Sequence, residues 1–467
     1  MIRGLLGGLL VLLAGHGLLR LAAGVAPLGC YGACGGVALS WLAGTAVLGL
    51  LTTVVGLLGA GTRPLPWLVP PLVLLAVGAA RPAMPRPRRP AFSRRLVGDL
   101  VSGALAGGVG VVVAALAAPI PVLRTDEFAL WMVRGRTLSL GGQLDPLVFL
   151  GAAARYQQLD YPLLLPALVA WGDSWVGHPS DAAAHVGVAV LLAAGLAATG
   201  WAVNRLAGAL PAAAAVILAA ATPTVLSGQA TQLLADVPAW SFTLPLVCLL
   251  ALWLRDGGRP LLAAAAVLGA GAGATKVEGL VFALSAFAMA AAVARSRRRR
   301  ILLAGLAVLA AELPWLAWTR LHGVRSYVLN ADTIDPGHLR EALPLAGRVW
   351  RGIASGWPGL GALLALAALP AAVLALRRGS GRLVAFLAGT VALDVLLVFA
   401  QYVVTAAQYP PGAEAARLLD GLVQVSAYRV LLLPAALTSV AVPLLAGAAI
   451  RPQLPDAEPG PRLALPQ

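Results

Sequence analysis

One lysine and a nearby glutamate are the clearest candidates for chemistry in this sequence. Lys276 is the only lysine among 34 lysine and arginine residues, and it stands with Glu278 in the segment GATKVEGL, between two apolar stretches. An ammonium group is a compact point charge that suits a phosphate oxygen near a helix end. The alternative is that a single lysine survived by chance on a solvated turn. We favour the functional interpretation because ionisable residues at such places in membrane proteins tend to be functional.

Carboxylates also stand at the ends of apolar stretches. Asp126 and Glu127 follow one stretch directly, and Asp236 opens another in the segment LLADVPAW. A carboxylate there can act as a general base on an acceptor hydroxyl or amine. It can equally cap a helix and balance the helix dipole. The spacing leaves both interpretations open for Asp126 and Glu127, whereas for Asp236 alone it favours the cap.

Other ionisable residues give weaker signals. His338, with Asp332 and Asp335, has the residue types of a metal site, but the spacing is not diagnostic and ordinary loop polarity explains it better. The sequence thus allows a divalent metal and does not require one.

Glu312 and Asp394 lie inside apolar stretches, where a charge is costly, so we predict that both are paired within the protein. Tryptophans near the same face suggest an interfacial belt, with sugar stacking as the alternative.

The composition indicates that membrane helices position these residues. The chain of 467 residues is 60% hydrophobic and 11% charged, with a mean hydropathy of +0.86. A soluble domain of this size needs more polar surface, whereas recurring apolar stretches of about 20 residues can each cross a bilayer as a helix. We therefore predict an all-α polytopic membrane protein. The thirteen predicted spans are 4–27, 37–60, 66–80, 96–120, 183–203, 208–226, 236–254, 259–275, 279–294, 301–319, 357–376, 383–402 and 429–450.

The arginines predict the orientation of these spans. The formal net charge is +15, and arginine clusters at 81–95, 295–300 and 377–382 all fall on one side of the membrane. The positive-inside rule places that side in the cytoplasm. Here arginines report topology and contact with membrane lipids, not nucleic-acid binding. The bias toward Ala, Gly, Arg and Pro indicates a GC-rich genome, so we predict a bacterial plasma membrane.

The opposite, extracytoplasmic face then receives the candidate residues. Its longest loop, 121–181, contains Asp160 and Tyr161 and a segment, 161–177, that we predict to be a helix lying at the interface. Together with the turns that contain Asp236, Lys276 and Glu278, this loop places most of the carboxylates on one membrane face. The tail at 451–467 is rich in proline and predicted to be disordered.

The order of these motifs resembles the GT-C superfamily of membrane glycosyltransferases. An Asp-Glu pair after a span is followed by a long outer loop with Asp-Tyr-Pro, then Ala-Asp-Val-Pro, Thr-Lys-x-Glu-Gly and Leu-Pro-Trp. The most similar group contains lipid A aminoarabinose transferases and protein O-mannosyltransferases, and the similarity covers roughly residues 96 to 340. It implies a GT-C-like bundle of about thirteen helices that moves a sugar from a polyprenyl-phosphate donor to a lipid, glycan or protein acceptor.

The resemblance also implies roles for single residues. Asp126 matches the catalytic acidic residue of the first outer loop, and Glu127 matches the acid beside it. Asp236 matches an acidic residue at the start of a later span. Lys276 matches a lysine near the donor phosphate. The chemistry of the reaction needs cations on the departing lipid phosphate, and Arg429, at the start of the last predicted span, or Arg320 can supply the second one.

Two positions depart from the pattern of the aminoarabinose transferases. Tyr161 stands where those enzymes have the lysine of Glu-Lys-Pro, which puts a phosphate or metal role for Asp160 and Tyr161 in doubt. Glu278 replaces their Lys-Gly pattern, so neither sugar nor acceptor can be transferred from the family. The implied domains are N-terminal helices with a basic cytoplasmic linker, a catalytic core, C-terminal helices and a cytoplasmic tail, at 1–95, 96–345, 346–450 and 451–467.

A transporter or flippase for a lipid-linked sugar is the alternative from another class. It would need charges along a path through the bundle, which Glu312 and Asp394 allow, but the carboxylates collect at one surface instead. A non-catalytic scaffold of envelope assembly is a third interpretation, and it leaves the single lysine unexplained.

Overall fold

The protein is an all-helical membrane protein, as predicted from its composition. Within the part of the chain that the structure describes, every regular element is a helix. Eight of these helices are long and apolar enough to cross a membrane, and four more are apolar but shorter. The computed structural model describes residues 2–23, 27–59, 64–80, 94–122, 126–141, 160–222, 229–324, 345–356, 359–407 and 413–450.

Each predicted span overlaps at least one helix, but thirteen crossings are not established, because only eight described helices meet the requirements of both length and hydropathy. The predicted interfacial segment 161–177 forms a helix of its own, α6. The helices are α1 (Ile2–Ala23), α2 (Pro27–Leu57), α3 (Pro64–Ala80), α4 (Arg94–Ala117), α5 (Val133–Ser139), α6 (Leu164–Val176), α7 (Asp181–Leu206), α8 (Ala209–Ala220), α9 (Asp236–Asp256), α10 (Arg259–Thr275), α11 (Val277–Val293), α12 (Arg298–Leu321), α13 (Ala346–Gly356), α14 (Gly359–Arg377), α15 (Gly381–Ala406), α16 (Ala413–Val430) and α17 (Leu432–Ile450).

One boundary differs from the prediction at a candidate residue. The last predicted span begins at Arg429, whereas the structure ends α16 at Val430 and begins α17 at Leu432. Pro434 explains the break, because a proline ring would clash with the carbonyl group four residues earlier if the helix continued. Arg429 therefore lies in the last turn of α16, where a cation also balances the helix dipole.

Helix α9 is the centre of the bundle. Nearly all of its side chains are buried, and it packs against α7, α10, α11, α15 and α17. It begins at Asp236, while its neighbour α10 ends at Thr275 and α11 begins at Val277, so these three helix ends lie together. The arginines of residues 295–300 follow the other end of α11. The candidate residues and this arginine cluster thus occupy opposite ends of the bundle.

Buried hydrogen bonds join α4 to α7 at the end of the bundle that carries the arginine cluster. Arg205 Nη2 donates to Asp99 Oδ2 at 2.8 Å, and Asn204 Nδ2 donates to Asp99 Oδ1 at 2.7 Å. Both bonds join α4 to α7. Because each carboxylate oxygen is bonded, Asp99 can stay buried without an unmet hydrogen-bonding group.

The two acidic residues inside predicted spans differ from each other. Asp394 on α15 accepts a hydrogen bond from the Ser285 hydroxyl on α11, so its predicted pairing is confirmed. Glu312 on α12 is buried against Gly273 of α10, and its Oε1 has no hydrogen-bond partner among the described residues. The pairing of Glu312 stays a prediction, because Oε1 is the oxygen without a partner and Oε2 is not among the buried unpartnered atoms. The predicted tail, 451–467, lies outside the described residues.

Candidate functional site

Asp236 is the centre of a buried cluster of charges. Its Oδ1 accepts a hydrogen bond from Lys276 Nζ at 2.8 Å, and its Oδ2 accepts from Arg429 Nη2 at 3.0 Å and Nε at 3.2 Å. The side chains of Asp236 and Lys276 are only 5% and 7% exposed. One carboxylate therefore holds two cations side by side, away from bulk water.

Two further carboxylates extend this cluster. Arg429 Nη1 donates to Asp126 Oδ2 at 2.7 Å, and Lys276 Nζ lies 3.3 Å from Glu278 Oε1. The result is an alternating row of five charges, in the order Asp126, Arg429, Asp236, Lys276, Glu278. Three are negative and two are positive, so the row carries one net negative charge. All five were candidates from the sequence, and the chain brings them together across 303 residues.

Local backbone structure explains why these side chains converge. Asp236 is the first residue of α9, after Ala235, and its side chain caps no backbone group. The cap interpretation of Asp236 is therefore wrong, because both oxygens bind cations instead. Lys276 is the single extended residue between α10 and α11, with φ −159° and ψ 148°. This one-residue break turns the chain back without a loop and leaves Lys276 between two helix ends.

The charges around Lys276 keep it protonated. Burial opposes the ammonium form, but the nearby Asp236 and Glu278 carboxylates outweigh it and raise the pKa of Lys276 above its ordinary value. Lys276 is therefore a permanent cation and not a proton acceptor. Such a group can bind an anion or stabilise a departing one.

Tyr161 forms an aromatic wall next to the charges. Its ring stacks on Trp131 with a centroid separation of 5.4 Å, and Lys276 Nζ lies 5.6 Å from its ring centroid. A cation at that distance from an aromatic face is attracted to it. Tyr161 thus supports Lys276 through its ring face and adds no charge of its own.

Buried contacts on the other side fix the position of Tyr161. Arg134 Nη2 donates to the Tyr161 carbonyl at 2.7 Å, and Trp315 Nε1 donates to the Asp160 carbonyl at 2.8 Å. Burial lowers the pKa of Arg134 to about 10, although the Asp160 carboxylate opposes this. Asp160 therefore acts together with Arg134 behind the aromatic wall, outside the row of five charges.

The adjacent acids at the start of the outer segment have different surroundings. A π-helical turn, Asp126–Met132, begins with both residues. The Asp126 side chain is 51% exposed, whereas Glu127 is buried. Only Asp126 combines access to solvent with contact to the charged row, which is what a base for an incoming acceptor requires.

A small cavity of about 20 Å³ opens beside the row. Its rim is charged and its interior is largely apolar, because α9, α11 and the start of α17 contribute aliphatic and aromatic side chains. Gly279 belongs to the wall that faces α9. The lining residues are Asp236, Ala239, Trp240, Thr243, Lys276, Glu278, Gly279, Phe282, Arg429, Val430, Leu432 and Leu433.

Sequence reasoning missed Trp240 and Phe282, which line this cavity. Both stand four residues after a predicted site residue, Trp240 after Asp236 and Phe282 after Glu278. Residues four apart lie on one face of a helix, so helical spacing would have indicated them.

The predicted tryptophan belt is mostly not observed. Trp131, Trp171, Trp315 and Trp318 are all at most 5% exposed, whereas Trp350 is 56% exposed. The predicted belt also included Trp175, which is half-buried, and Trp357, which lies outside the described residues. Four of its seven indoles are thus packed inside the protein, and among the described ones Trp350 alone is exposed. The inner tryptophans instead support the polar segment around Asp126 and Tyr161.

The predicted metal candidate cannot be placed. His338 and its neighbours lie outside the described residues. Within the ranges that are described, no three His, Cys, Asp or Glu side chains come together as metal ligands.

Comparison with known proteins identifies no family to which this chain can be assigned. No protein-family model, no characterised protein and no solved structure matches the chain.

Gly279 offers a test of how closely the helices around the site must pack. A Cβ atom there would lie 2.3 Å from the Ala272 carbonyl oxygen, so Gly279→Ala must push α11 away from α10 and displace Glu278. Overpacking of this kind costs about 1–3 kcal/mol. We expect a lower Tm for G279A in detergent. Gly107→Ala is the matched control, because a Cβ at that helical position meets nothing within 4 Å, and an unchanged Tm for both variants would contradict the packing argument.

Proposed function

We propose that this protein is a glycosyltransferase of the GT-C type, which moves a sugar from a polyprenyl-phosphate donor to an acceptor. The observation that carries the proposal is the pair of cations, the buried Lys276 and the partly buried Arg429, held next to each other by Asp236 at the end of a membrane bundle. A lipid-linked phosphate needs such a site: cations for its phosphate group and apolar helices for its chain.

The proposed reaction breaks the bond between the anomeric carbon and the phosphate oxygen of the donor. The acceptor oxygen or nitrogen forms the new bond to that carbon and gives up its proton to Asp126. The polyprenyl phosphate leaves with the electron pair, and Lys276 and Arg429 stabilise its increased negative charge.

The Asp126–Arg429 contact suggests that the donor binds before Asp126 can act as a base. Without donor, Arg429 bonds both Asp126 and Asp236, so the base is engaged by a cation. A donor phosphate that binds Arg429 competes with Asp126 for the same guanidinium. Asp126 is then released to accept the acceptor proton only when donor is in place, which would limit wasteful hydrolysis.

The charge distribution supports an extracytoplasmic site. The row of five charges lies at the end of the bundle opposite the arginines of residues 295–300. By the positive-inside rule those arginines face the cytoplasm. In this proposal the protein lies in a bacterial plasma membrane, and acceptor arrives from outside.

The transporter or flippase alternative is supported by Glu312 and Asp394, which are buried inside membrane helices. Charged or polar residues along a membrane path are typical of transport. However, Asp394 bonds Ser285, and Glu312 packs against α10, so neither joins the row of five charges. The site at the bundle end therefore favours transfer over passage.

The proposal is tested with purified protein in nanodiscs. The protein is given a panel of radiolabelled polyprenyl-phosphate sugars, with a bacterial envelope extract as acceptor source. We expect label to move from at least one donor to a product that resists mild acid, with release of polyprenyl phosphate. No transfer from any donor, together with donor movement between the leaflets of proteoliposomes, would establish the transporter alternative instead.

A further inference from the structure

Asp181, the first residue of α7, joins the two flanks of the π-helical turn that begins with Asp126. Its Oδ2 accepts a hydrogen bond from the Val122 backbone N–H at 3.0 Å, and its Oδ1 accepts one from Arg136 Nη2. Val122 precedes the turn, and Arg136 follows it on α5. One carboxylate therefore holds the chain both before and after the turn. Val122, Asp181 and Arg136 are called the Asp181 clamp below.

The helix that carries Asp181 is a well-packed part of the bundle. Most side chains of α7 are buried, and the Ser180 hydroxyl oxygen caps its first turn. His185, one turn after Asp181, also donates a hydrogen bond to the Ile120 backbone. The start of α7 thus holds the chain that leaves α4 at two points, and through Asp181 it holds α5 as well.

The π-helical turn is packed unevenly, so its start depends on the clamp more than its end does. Trp131 and Met132, at the end of the turn, belong to the hydrophobic core. Asp126 and Phe128, near its start, are about half exposed. Such turns are rare and often occur at functional sites. Here the start of the turn places the Asp126 carboxylate 2.7 Å from Arg429 Nη1.

We infer that the Asp181 clamp sets the position of Asp126 against Arg429, which makes Asp181 a positioning residue for the base of the transfer reaction. The inference rests on the proposed function, and it adds a residue that acts through the backbone and lies outside the row of five charges. A misplacement of about 1 Å can cost a reaction roughly 100-fold. A change in the clamp should therefore be felt at Asp126.

Hydrogen exchange and steady-state kinetics of Asp181→Asn test the clamp. Asparagine keeps the size of the side chain but offers one acceptor oxygen instead of two, so one of the two bonds is lost. In nanodiscs without substrate, the amides of Asp126–Met132 should exchange roughly 10-fold or more faster than in wild type, as for loss of a hydrogen bond to a charged group. The kcat should fall by about 10-fold to 100-fold. The KM for donor should not rise, because Lys276 keeps its contact with Asp236.

A double variant separates positioning from general damage. If Asp181 acts through Asp126, then Asp126→Asn combined with Asp181→Asn should transfer sugar at the residual rate of D126N alone. General damage to the fold would lower the rate by the same factor in both backgrounds.

Asp99→Asn is the matched control. Asp99 also accepts two hydrogen bonds, from Asn204 and Arg205, and it joins α4 to α7 at the opposite end of the bundle. D99N should leave both the exchange of the π-helical turn and the kcat at their wild-type values. If D181N does not fold, Arg136→Met takes its place, because it releases only the flank after the turn and leaves Asp181 bonded to Val122. It should give the same faster exchange and lower kcat.

Each result decides the inference. Unchanged exchange of the turn in D181N, faster exchange with an unchanged kcat, or an equal fall in rate with and without Asp126 would overturn it. The exchange measurement needs no turnover, so the proposed function can fail separately. Faster exchange of the turn in D181N, in a protein that transfers sugar from no donor, would keep the Asp181 clamp and reject the transferase.

Discussion

Asp126→Asn is expected to lower sugar transfer by roughly 100-fold to 10,000-fold, the usual contribution of a general base. The change keeps the size of the side chain and removes its ability to take the acceptor proton. Donor binding should become tighter, because an amide competes less than a carboxylate with the donor phosphate for the Arg429 guanidinium, while Lys276 and Asp236 keep their contact. The Tm should change little, since the Asp126 side chain is half exposed and exposed ion pairs contribute little stability.

Asp420→Asn is the matched control for this variant. Asp420 is a half-exposed aspartate that pairs with the Arg348 guanidinium at 2.9 Å, on helices that flank the site. It resembles Asp126 in exposure and partner but not in position. If D126N and D420N transfer sugar equally well, Asp126 is not the base.

Lys276→Met is expected to lower both the Tm and the transfer rate, because it leaves Asp236 buried with one cation instead of two. Removal of one partner from a buried ion pair costs about 3–5 kcal/mol, and the remaining contact with Arg429 places this variant near the lower figure. Loss of the cation nearest the donor phosphate should also reduce transfer by at least ~100-fold.

The double variant Asp236→Asn, Lys276→Met separates these two effects. Neutralising Asp236 as well returns the net charge of the row to that of the wild type, and the side-chain oxygen of the introduced asparagine can still accept from Arg429, so part of the lost Tm should return. Transfer should stay as low as in K276M, because no lysine faces the donor. Recovery of both stability and transfer in the double variant would show that Lys276 is only a structural partner of Asp236.

The sequence predicted the elements of this protein well because long apolar helices leave a strong signal. Every predicted span overlaps a helix, and the segment 161–177, which was predicted to be a helix at the interface, contains the helix α6. The exception at Arg429 is physical: Pro434 ends the preceding helix, while hydropathy alone does not record where one apolar helix stops and the next begins.

The sequence predicts in part which residues come together at the candidate site. Asp126, Asp236, Lys276 and Glu278 all stand at helix ends on one predicted face, so topology alone brings them near each other. Which of them touch could not be derived, because contacts such as Asp236 with Arg429 span 193 residues and depend on packing. The same limit applies to Trp240, whose role in the cavity depends on how α9 faces α11.

The central claim is that a donor phosphate binds between Lys276 and Arg429, and a cryo-EM map of the protein in nanodiscs with a bound farnesyl-phosphoryl sugar tests it most directly. We predict phosphate density within ion-pair distance, about 4 Å, of both Lys276 Nζ and the Arg429 guanidinium, with Asp126 released from Arg429. Phosphate density elsewhere, with Arg429 still bonded to both Asp126 and Asp236, would contradict the account.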